Sequence, residues 1–106
     1  MTPIEKTALE SKIIQALETC YDPEIPVNIF ELGLVYKIEI GDMGDVRIKM
    51  TLTTPHCPVA TSLPVEVQSK VGKTSGVQSV TVDVVWDPPW DPGKISESAK
   101  LQLGML

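Results

Sequence analysis

Apolar residues at the start of the chain recur with the period of an α-helix. Leu9, Ile13, Ala16 and Cys20 fall on one helical face. The segment Thr2-Pro3-Ile4-Glu5 supplies both a capping box and a proline suited to the first helical position. The pattern predicts an amphipathic N-terminal helix that buries Cys20 as a small hydrophobic side chain.

Two segments in the middle of the chain alternate between apolar and polar residues with the period of a β-strand. In the first, the residues expected on one face are Leu34, Tyr36, Ile38 and Ile40. In the second, they are Val46, Ile48, Met50 and Leu52. The turn-forming residues 41–45 lie between these segments, so the two strands should form a hairpin. A third strand is predicted from Val80 to Trp86, with Trp86 continuing the apolar face into the core.

A second helix is predicted between the second and third strands. Its apolar positions are Ala60, Leu63, Val67 and Val71. Pro64 should kink this helix or delay its regular start, because proline has no backbone N–H to donate. Ser96 is placed to cap a last short helix that runs toward Gly104.

The resulting order of elements, α-β-β-α-β-α, is typical of an α+β fold built as a two-layer sandwich. The helix that crosses between the second and third strands favours parallel pairing of those strands, which makes the small three-stranded sheet mixed. Both longer helices carry a single apolar stripe, so they should pack on the same face of the sheet. The length of 106 residues predicts one domain over residues 1–106.

Charge and hydropathy exclude two kinds of partner. Nine basic and fourteen acidic residues give a net charge of −5, and no cluster of Lys and Arg provides the positive field that nucleic acids require. No apolar run approaches the roughly twenty residues of a membrane span, and no export signal is visible. We therefore expect a cytoplasmic protein with no nucleic-acid or membrane partner, whose two cysteines stay reduced.

The most distinctive residue chemically is Cys57, which lies between the end of the second strand and the start of the second helix. The positive end of a helix dipole lowers the pKa of a nearby thiol, and the thiolate is the form that binds metal or attacks an electrophile. An ordinary free thiol in a loop is the alternative. The adjacent His56 is a second soft-metal ligand, a base or simply an exposed loop residue.

Two proline-rich segments are candidates for supporting roles. Asp22 and Glu24 are the carboxylates of the stiff segment Tyr21–Pro26, where simple turn formation is the alternative. The second segment carries Trp86, Pro88, Pro89 and Trp90, and suits either a partner-docking surface or a lid over the core. Because Trp90 follows two prolines outside any strand, we expect it to be at least partly exposed and to contact a partner or a second subunit.

Motifs along nearly the whole chain resemble those of one known family. The segments Asp22–Ile29 and Leu32–Tyr36 resemble the opening signature of the SufT/PaaD-like metal–sulfur cluster assembly family. Its central motif is similar to Met50–Pro55 followed by Cys57-Pro58. Its C-terminal signature is similar to Val85–Trp90 followed by Ser96, Ala99 and Leu103-Gly104. Cys20 matches no motif position, Pro64 departs from the usual helix-forming residue, and His56 falls where the family varies.

The resemblance implies a part in the maturation of iron–sulfur proteins. The cysteine that matches Cys57 is the family's functional thiol, and Asp22 lies in its most recognisable loop. We therefore expect Cys57 to act as the functional thiol and as a transient metal ligand, with Asp22, Glu24, Thr54 and His56 supporting it. The expected partners are iron–sulfur carrier proteins, client apo-proteins and, as one arrangement, a second copy of the chain.

Three functions remain open on the sequence alone. The leading hypothesis is an accessory factor, not an enzyme, that assembles or delivers an iron–sulfur cluster through Cys57. One thiolate cannot hold a cluster alone, so iron or a cluster would be bound transiently and no stable cofactor is expected in the monomer. The alternative is a metal-free adaptor that docks clients through the Trp/Pro segment. A thiol redox protein or Cys-dependent hydrolase is disfavoured, because the chain has no CxxC motif and no oriented base.

Overall fold

The structure is a computed structural model that describes residues 1–21, 25–53 and 59–104, with the backbone alone described for residues 59–61. Its helices and strands follow the predicted order. In chain order they are α1 (Pro3–Leu17), β1 (Val35–Ile40), β2 (Asp45–Met50), α2 (Val59–Gly72), β3 (Ser79–Val84) and α3 (Glu97–Gln102), with a short 3₁₀ turn at Pro92–Lys94. The predicted α+β fold class is therefore confirmed.

The strands form one mixed sheet in the order β1-β2-β3. β1 and β2 make an antiparallel hairpin, in which Ile38 lies opposite Ile48. β3 pairs parallel to β2, with Val82 opposite Ile48. The parallel pairing confirms the prediction from the crossover helix, and it places the central strand between the other two.

The core lies between the sheet and the two longer helices. α1 contributes Leu9, Ile13 and Leu17, α2 contributes Leu63, Val67 and Val71, and β2 contributes Val46, Ile48 and Met50. α1 packs against α2, and α2 packs against β3. Both helices therefore cover the same face of the sheet, as predicted, while Arg47 and Thr81 on the opposite face are exposed.

The predicted alternation along β1 is wrong at its start. The pairing register shifts between Val35 and Lys37, which marks a bulge. As a result Val35 lies opposite the buried Met50 and packs against the core. Tyr36, expected to share a face with Ile38, is the additional residue of the bulge and contacts the C-terminal part of the chain instead.

The helix starts follow the expected capping chemistry. Thr2 caps α1 by accepting a hydrogen bond from the Glu5 N–H, and the Glu5 carboxylate accepts one from the Thr2 N–H. Ser96 caps α3 by accepting from the Ala99 N–H.

α2 begins at Val59 and runs through Pro64, so the expected delay of its start at this proline is wrong. No described helix has both the length and the hydropathy that a membrane span requires.

Candidate functional site

The thiol and its expected supporting residues fall outside the described part of the chain. These residues are Asp22, Glu24, Thr54, His56 and Cys57. Their roles, including the metal-binding role of Cys57, therefore stay predictions. The described residues on either side of them show how the fold holds the ends of both segments.

The two ends of the Asp22 segment are held together. Tyr21 and Asn28 form an antiparallel β-bridge, and the Ile29 N–H donates to the Cys20 carbonyl oxygen at 2.9 Å. The Asn28 side chain then accepts a hydrogen bond from the Glu31 N–H at 2.9 Å, as the side chain of a helix N-cap does. The described residues on either side of this segment are therefore bonded to one another close to the end of α1.

The end of β2 is held from both sides before the chain reaches residues 54–58. The Thr51 N–H donates to the Leu34 carbonyl oxygen at 2.8 Å, and the Val85 N–H donates to the Met50 carbonyl oxygen at 2.8 Å. Thr51 is completely buried. The strand that leads to Cys57 is thus anchored to the start of β1 and to the residue after β3.

Tyr36 connects this strand end to the Trp/Pro segment. Its hydroxyl donates to the Pro88 carbonyl oxygen at 2.8 Å, and the Lys94 ammonium lies 5.4 Å from the centre of its ring, within the range of a cation–π contact. Burial and, after it, the negative charge of Asp91 raise the pKa of Tyr36, while the neighbouring Thr51 hydroxyl acts in the opposite direction. The phenol therefore stays protonated and remains a hydrogen-bond donor at neutral pH.

The prediction is wrong for Trp86 and confirmed for the partial exposure of Trp90. Trp86, expected mainly in the core, is 45% exposed. Trp90, expected to be at least partly exposed, is partly buried: it packs against the core, and its indole N–H donates to the Leu32 carbonyl oxygen at 2.7 Å. The prediction for Trp86 failed because β3 ends at Val84, so Trp86 no longer follows the inward alternation of the strand. If this segment docks a partner, Trp86 and not Trp90 presents the larger free surface.

The C-terminal segment, residues 85–104, docks onto the turn at residues 28–34. The backbone of Lys94 lies directly against Gly33, whose positive φ of 77° ends the turn. The Ser96 N–H donates to the Glu31 carbonyl oxygen at 2.8 Å, and the Ser96 hydroxyl donates to the Glu31 carboxylate. Sequence patterns alone did not reveal this contact, because the paired residues are more than sixty positions apart.

The second cysteine is buried, as predicted. Cys20 has no exposed surface, and its thiol lies 3.7 Å from the Ala16 carbonyl oxygen. Burial, reinforced by the nearby Glu66 carboxylate, raises the pKa of Cys20, although Lys70 acts in the opposite direction. The thiol is therefore protonated and shielded, which suits neither metal binding nor nucleophilic attack.

Metal-binding geometry is absent from the part of the chain that the structure describes. Within residues 1–21, 25–53 and 59–104, no three His, Cys, Asp or Glu side chains lie close enough to hold an ion together.

An open groove between Glu39, Arg47 and Thr81 lies on the outer face of the sheet, at the opposite end of β2 from Thr51. It is remote from the strand end that leads to Cys57.

The fold and its motifs define a small α+β domain of the iron–sulfur assembly class. The chain belongs to the family described as "Iron-sulfur cluster assembly protein", whose sequence profile matches residues 10–84. That match ends at the last residue of β3, so the docked C-terminal segment follows it.

Relatives of known name and structure match most of the chain. A "Fe-S protein maturation auxiliary factor" from Porphyromonas gingivalis is 44% identical over 97 residues, covering 92% of each chain. The "Fe-S protein maturation auxiliary factor SufT" from Staphylococcus aureus is 37% identical over 84 residues, covering 79% of this chain and 96% of the relative. The crystal structure of a domain of unknown function from Bacillus anthracis superposes with a TM-score of 0.89 at 34% identity, over 99% of this chain and all of the other.

Proposed function

We propose that this protein is an accessory factor in the assembly of iron–sulfur clusters or their delivery to client apo-proteins, and that it acts through Cys57. The observation that carries the proposal is the near full-length similarity to maturation auxiliary factors, together with membership of the assembly family. The relatives are named as auxiliary factors and not as enzymes, so the proposal assigns no turnover of its own to the chain. We place this activity in the cytoplasm, where thiols stay reduced.

The choice between the two thiols follows from burial. The chain has two cysteines, and Cys20 lies in the core with a raised pKa. Cys57 is the remaining thiol, and it precedes the first residue of α2 by two positions. A thiolate close to a helix N-terminus is stabilised by the positive end of the helix dipole, so Cys57 is the thiol suited to donate an electron pair to iron.

The number of cysteines implies that any iron–sulfur cluster is bound jointly by this chain and a second molecule. Clusters of the common types take four cysteine thiolates, and this chain has one cysteine besides the buried Cys20. The missing ligands would come from a carrier protein, from the client or from a second copy of this chain. Such a shared site fits transient transfer, because a donor that contributes one ligand can be displaced by the thiols of the recipient.

The proposal is tested by complementation in a strain that lacks the gene. The wild-type chain, Cys57→Ser and the matched control Cys20→Ala are each expressed, and the activity of an iron–sulfur enzyme is measured together with the amount of its apo-form. We expect the wild type and Cys20→Ala to restore activity and Cys57→Ser to fail, because a hydroxyl does not ionise near neutral pH. Full restoration by Cys57→Ser would remove the thiol from the mechanism, and no restoration by the wild type would refute the assembly role.

A second candidate function is a metal-free adaptor, and the exposure of Trp86 favours it. This ring is 45% exposed beside a segment that Tyr36 holds through the Pro88 carbonyl, and tryptophan is common among residues that dominate binding energy. Anaerobic reconstitution with iron and sulfide separates the two functions. A carrier, alone or with its partner chain, gains the visible absorption of a cluster that Cys57→Ser lacks, whereas an adaptor gains none.

A further inference from the structure

The strand β1 forms an edge of the sheet whose backbone is open to a further strand. In the part of the chain that the structure describes, β1 pairs with β2 on one side and with no strand on the other. The Gly41 N–H donates to the Asp45 carbonyl oxygen at 2.7 Å, and hydrogen-bonded pairs alternate with non-bonded pairs along an antiparallel ladder. The N–H and C=O groups of Ile38 and Ile40 therefore point away from β2, and no backbone hydrogen bond to another described residue uses them.

The opposite edge of the sheet, at β3, is partly covered. Gln68 on α2 donates from its side-chain amide to the Val80 carbonyl oxygen at 3.3 Å, so one acceptor that a further strand would use is already engaged. An uncovered edge strand is a template for pairing with another chain. Of the two edges, β1 is therefore the one that offers a partner strand its hydrogen-bonding groups.

The charges along β1 are self-complementary about Ile38. Lys37 and Glu39 lie on the outer face of the sheet, one residue to either side of it. When two copies of β1 pair antiparallel with Ile38 opposite Ile38, Lys37 of each copy lies directly opposite Glu39 of the other, in two equivalent pairs. The register centred on Glu39 also aligns the open backbone groups, but it puts two glutamates directly opposite each other, which is repulsive.

The single chain leaves the side chains of β1 incompletely paired. Lys37 lies directly opposite Lys49 of β2, which is a like-charge arrangement, and its 3.2 Å ion pair with Glu39 joins two solvent-accessible side chains of the same strand. On the inner face, Ile38 and Ile40 pack against the core but are only partly buried. A second strand at this edge would supply Lys37 with a further carboxylate and would remove more of both isoleucines from water.

We propose that the β1 edge is a self-association surface whose occupant is a second copy of this chain, paired antiparallel about Ile38. The two sheets then join into one continuous sheet with the strand order β3-β2-β1-β1-β2-β3. The β2 strands of the two copies run in opposite directions, so their ends at Met50 point away from each other. This surface is separate from the thiol chemistry of the proposed function and does not depend on it.

The test measures self-association by sedimentation velocity, with a reducing agent present. Protein concentrations run from about 10 μM to about 1 mM, the range in which small interfaces dissociate. The wild type is compared with Lys37→Glu, with Glu39→Lys and with an equimolar mixture of these two variants. Lys73→Glu is the matched control, because it makes the same charge change as Lys37→Glu on an exposed residue that follows α2. In the wild type, NMR also follows the hydrogen exchange of the backbone amides of β1.

We expect the wild type to self-associate and each charge reversal in β1 to weaken association about tenfold or more, because both cross-strand pairs become repulsive. The mixture of Lys37→Glu with Glu39→Lys should regain association, since each pair again joins opposite charges. Lys73→Glu should stay within about twofold of the wild type. Exchange of the Ile38 N–H should slow as the wild-type concentration rises, whereas exchange of the Glu39 N–H, which faces β2 in either state, should not change.

Three results would overturn the inference. A wild type that stays monomeric over the whole range excludes a second copy as the occupant of this edge and leaves the edge to a strand of another protein. Self-association that survives both charge reversals places the contact elsewhere on the chain. Single variants that do not recover as a mixture contradict the antiparallel register about Ile38. Circular dichroism checks that each variant is folded, and if a β1 variant is not, the concentration dependence of Ile38 exchange in the wild type decides the question.

Discussion

Replacing Gly33 by alanine tests whether the C-terminal segment is seated on the turn at residues 28–34. Gly33 has a φ of 77°, and a Cβ atom there would lie 2.3 Å from the Lys94 carbonyl oxygen and 2.9 Å from its carbonyl carbon. Both are backbone atoms, so no side-chain rotation relieves the overlap. The Lys94 backbone would have to retreat until the contact reaches at least 3.0 Å.

The expected loss of folding stability in Gly33→Ala has two parts, and a matched control variant distinguishes them. Alanine in the left-handed region costs about 1–2 kcal/mol wherever it occurs, and forcing an extra methyl group into packed structure adds about 1–3 kcal/mol. Gly104 has nearly the same φ, 75°, but no atom within 4 Å of the added Cβ. Gly33→Ala should therefore lose about 2–5 kcal/mol, and Gly104→Ala about 1–2 kcal/mol.

The assay is thermal unfolding followed by circular dichroism. At about 4–8 °C for each kcal/mol in a domain near this size, Gly33→Ala should melt roughly 8–40 °C below the wild type and Gly104→Ala roughly 4–16 °C below it. The fluorescence of Trp90, which lies in the docked segment, should change with Gly33→Ala at temperatures below unfolding. Equal melting temperatures for the two variants would show that Lys94 does not rest on Gly33.

Two further predictions concern the core. Trp90→Phe keeps an aromatic ring but removes the bond to the Leu32 carbonyl oxygen, so it should cost about 1–2 kcal/mol, whereas Trp86→Phe on the exposed ring should change stability by under about 0.5 kcal/mol in urea unfolding. The raised pKa of Cys20 means that the unfolded chain releases this proton at lower pH than the folded one. The Cys20 contribution to stability is therefore fully present below the pKa of a free thiol, about 8.5, and is lost as the pH rises toward the folded pKa. Cys20→Ala should weaken the fall in melting temperature above that pH, and an unchanged alkaline slope would contradict the assignment.

The sequence predicted those parts of the fold that depend on periodic burial. The apolar stripes of α1 and α2 and the alternation of β2 arise because one face of each element packs against the core. The order of the elements, the parallel pairing of β2 with β3 and the shared face of the two helices could therefore all be predicted. The bulge at Val35 was not, because a single inserted residue leaves the apolar pattern of β1 almost unchanged while reversing which side chain faces inward.

The surroundings of the candidate site were harder to predict from the sequence for a related reason. The environments of Trp86 and Trp90 depend on where β3 ends and on a hydrogen bond to Leu32, which is 58 positions away. The complete burial of Thr51 is visible only once its neighbours are placed, since the same residue type in the sequence describes an exposed strand threonine such as Thr81 equally well. Motif resemblance identified Cys57 and Asp22, but it says nothing of the bonds that hold the segments around them.

The docking of residues 85–104 onto residues 28–34 also orders events during synthesis of the chain. The turn at residues 28–34 is synthesised before the residues that cover it. At about 5–20 residues per second, the ribosome needs roughly 1–4 s to add the twenty residues from 85 to 104. Throughout that interval the Leu32 carbonyl and the surface of Gly33 face solvent or a chaperone. We therefore expect a released chain truncated after residue 84 to present this turn uncovered.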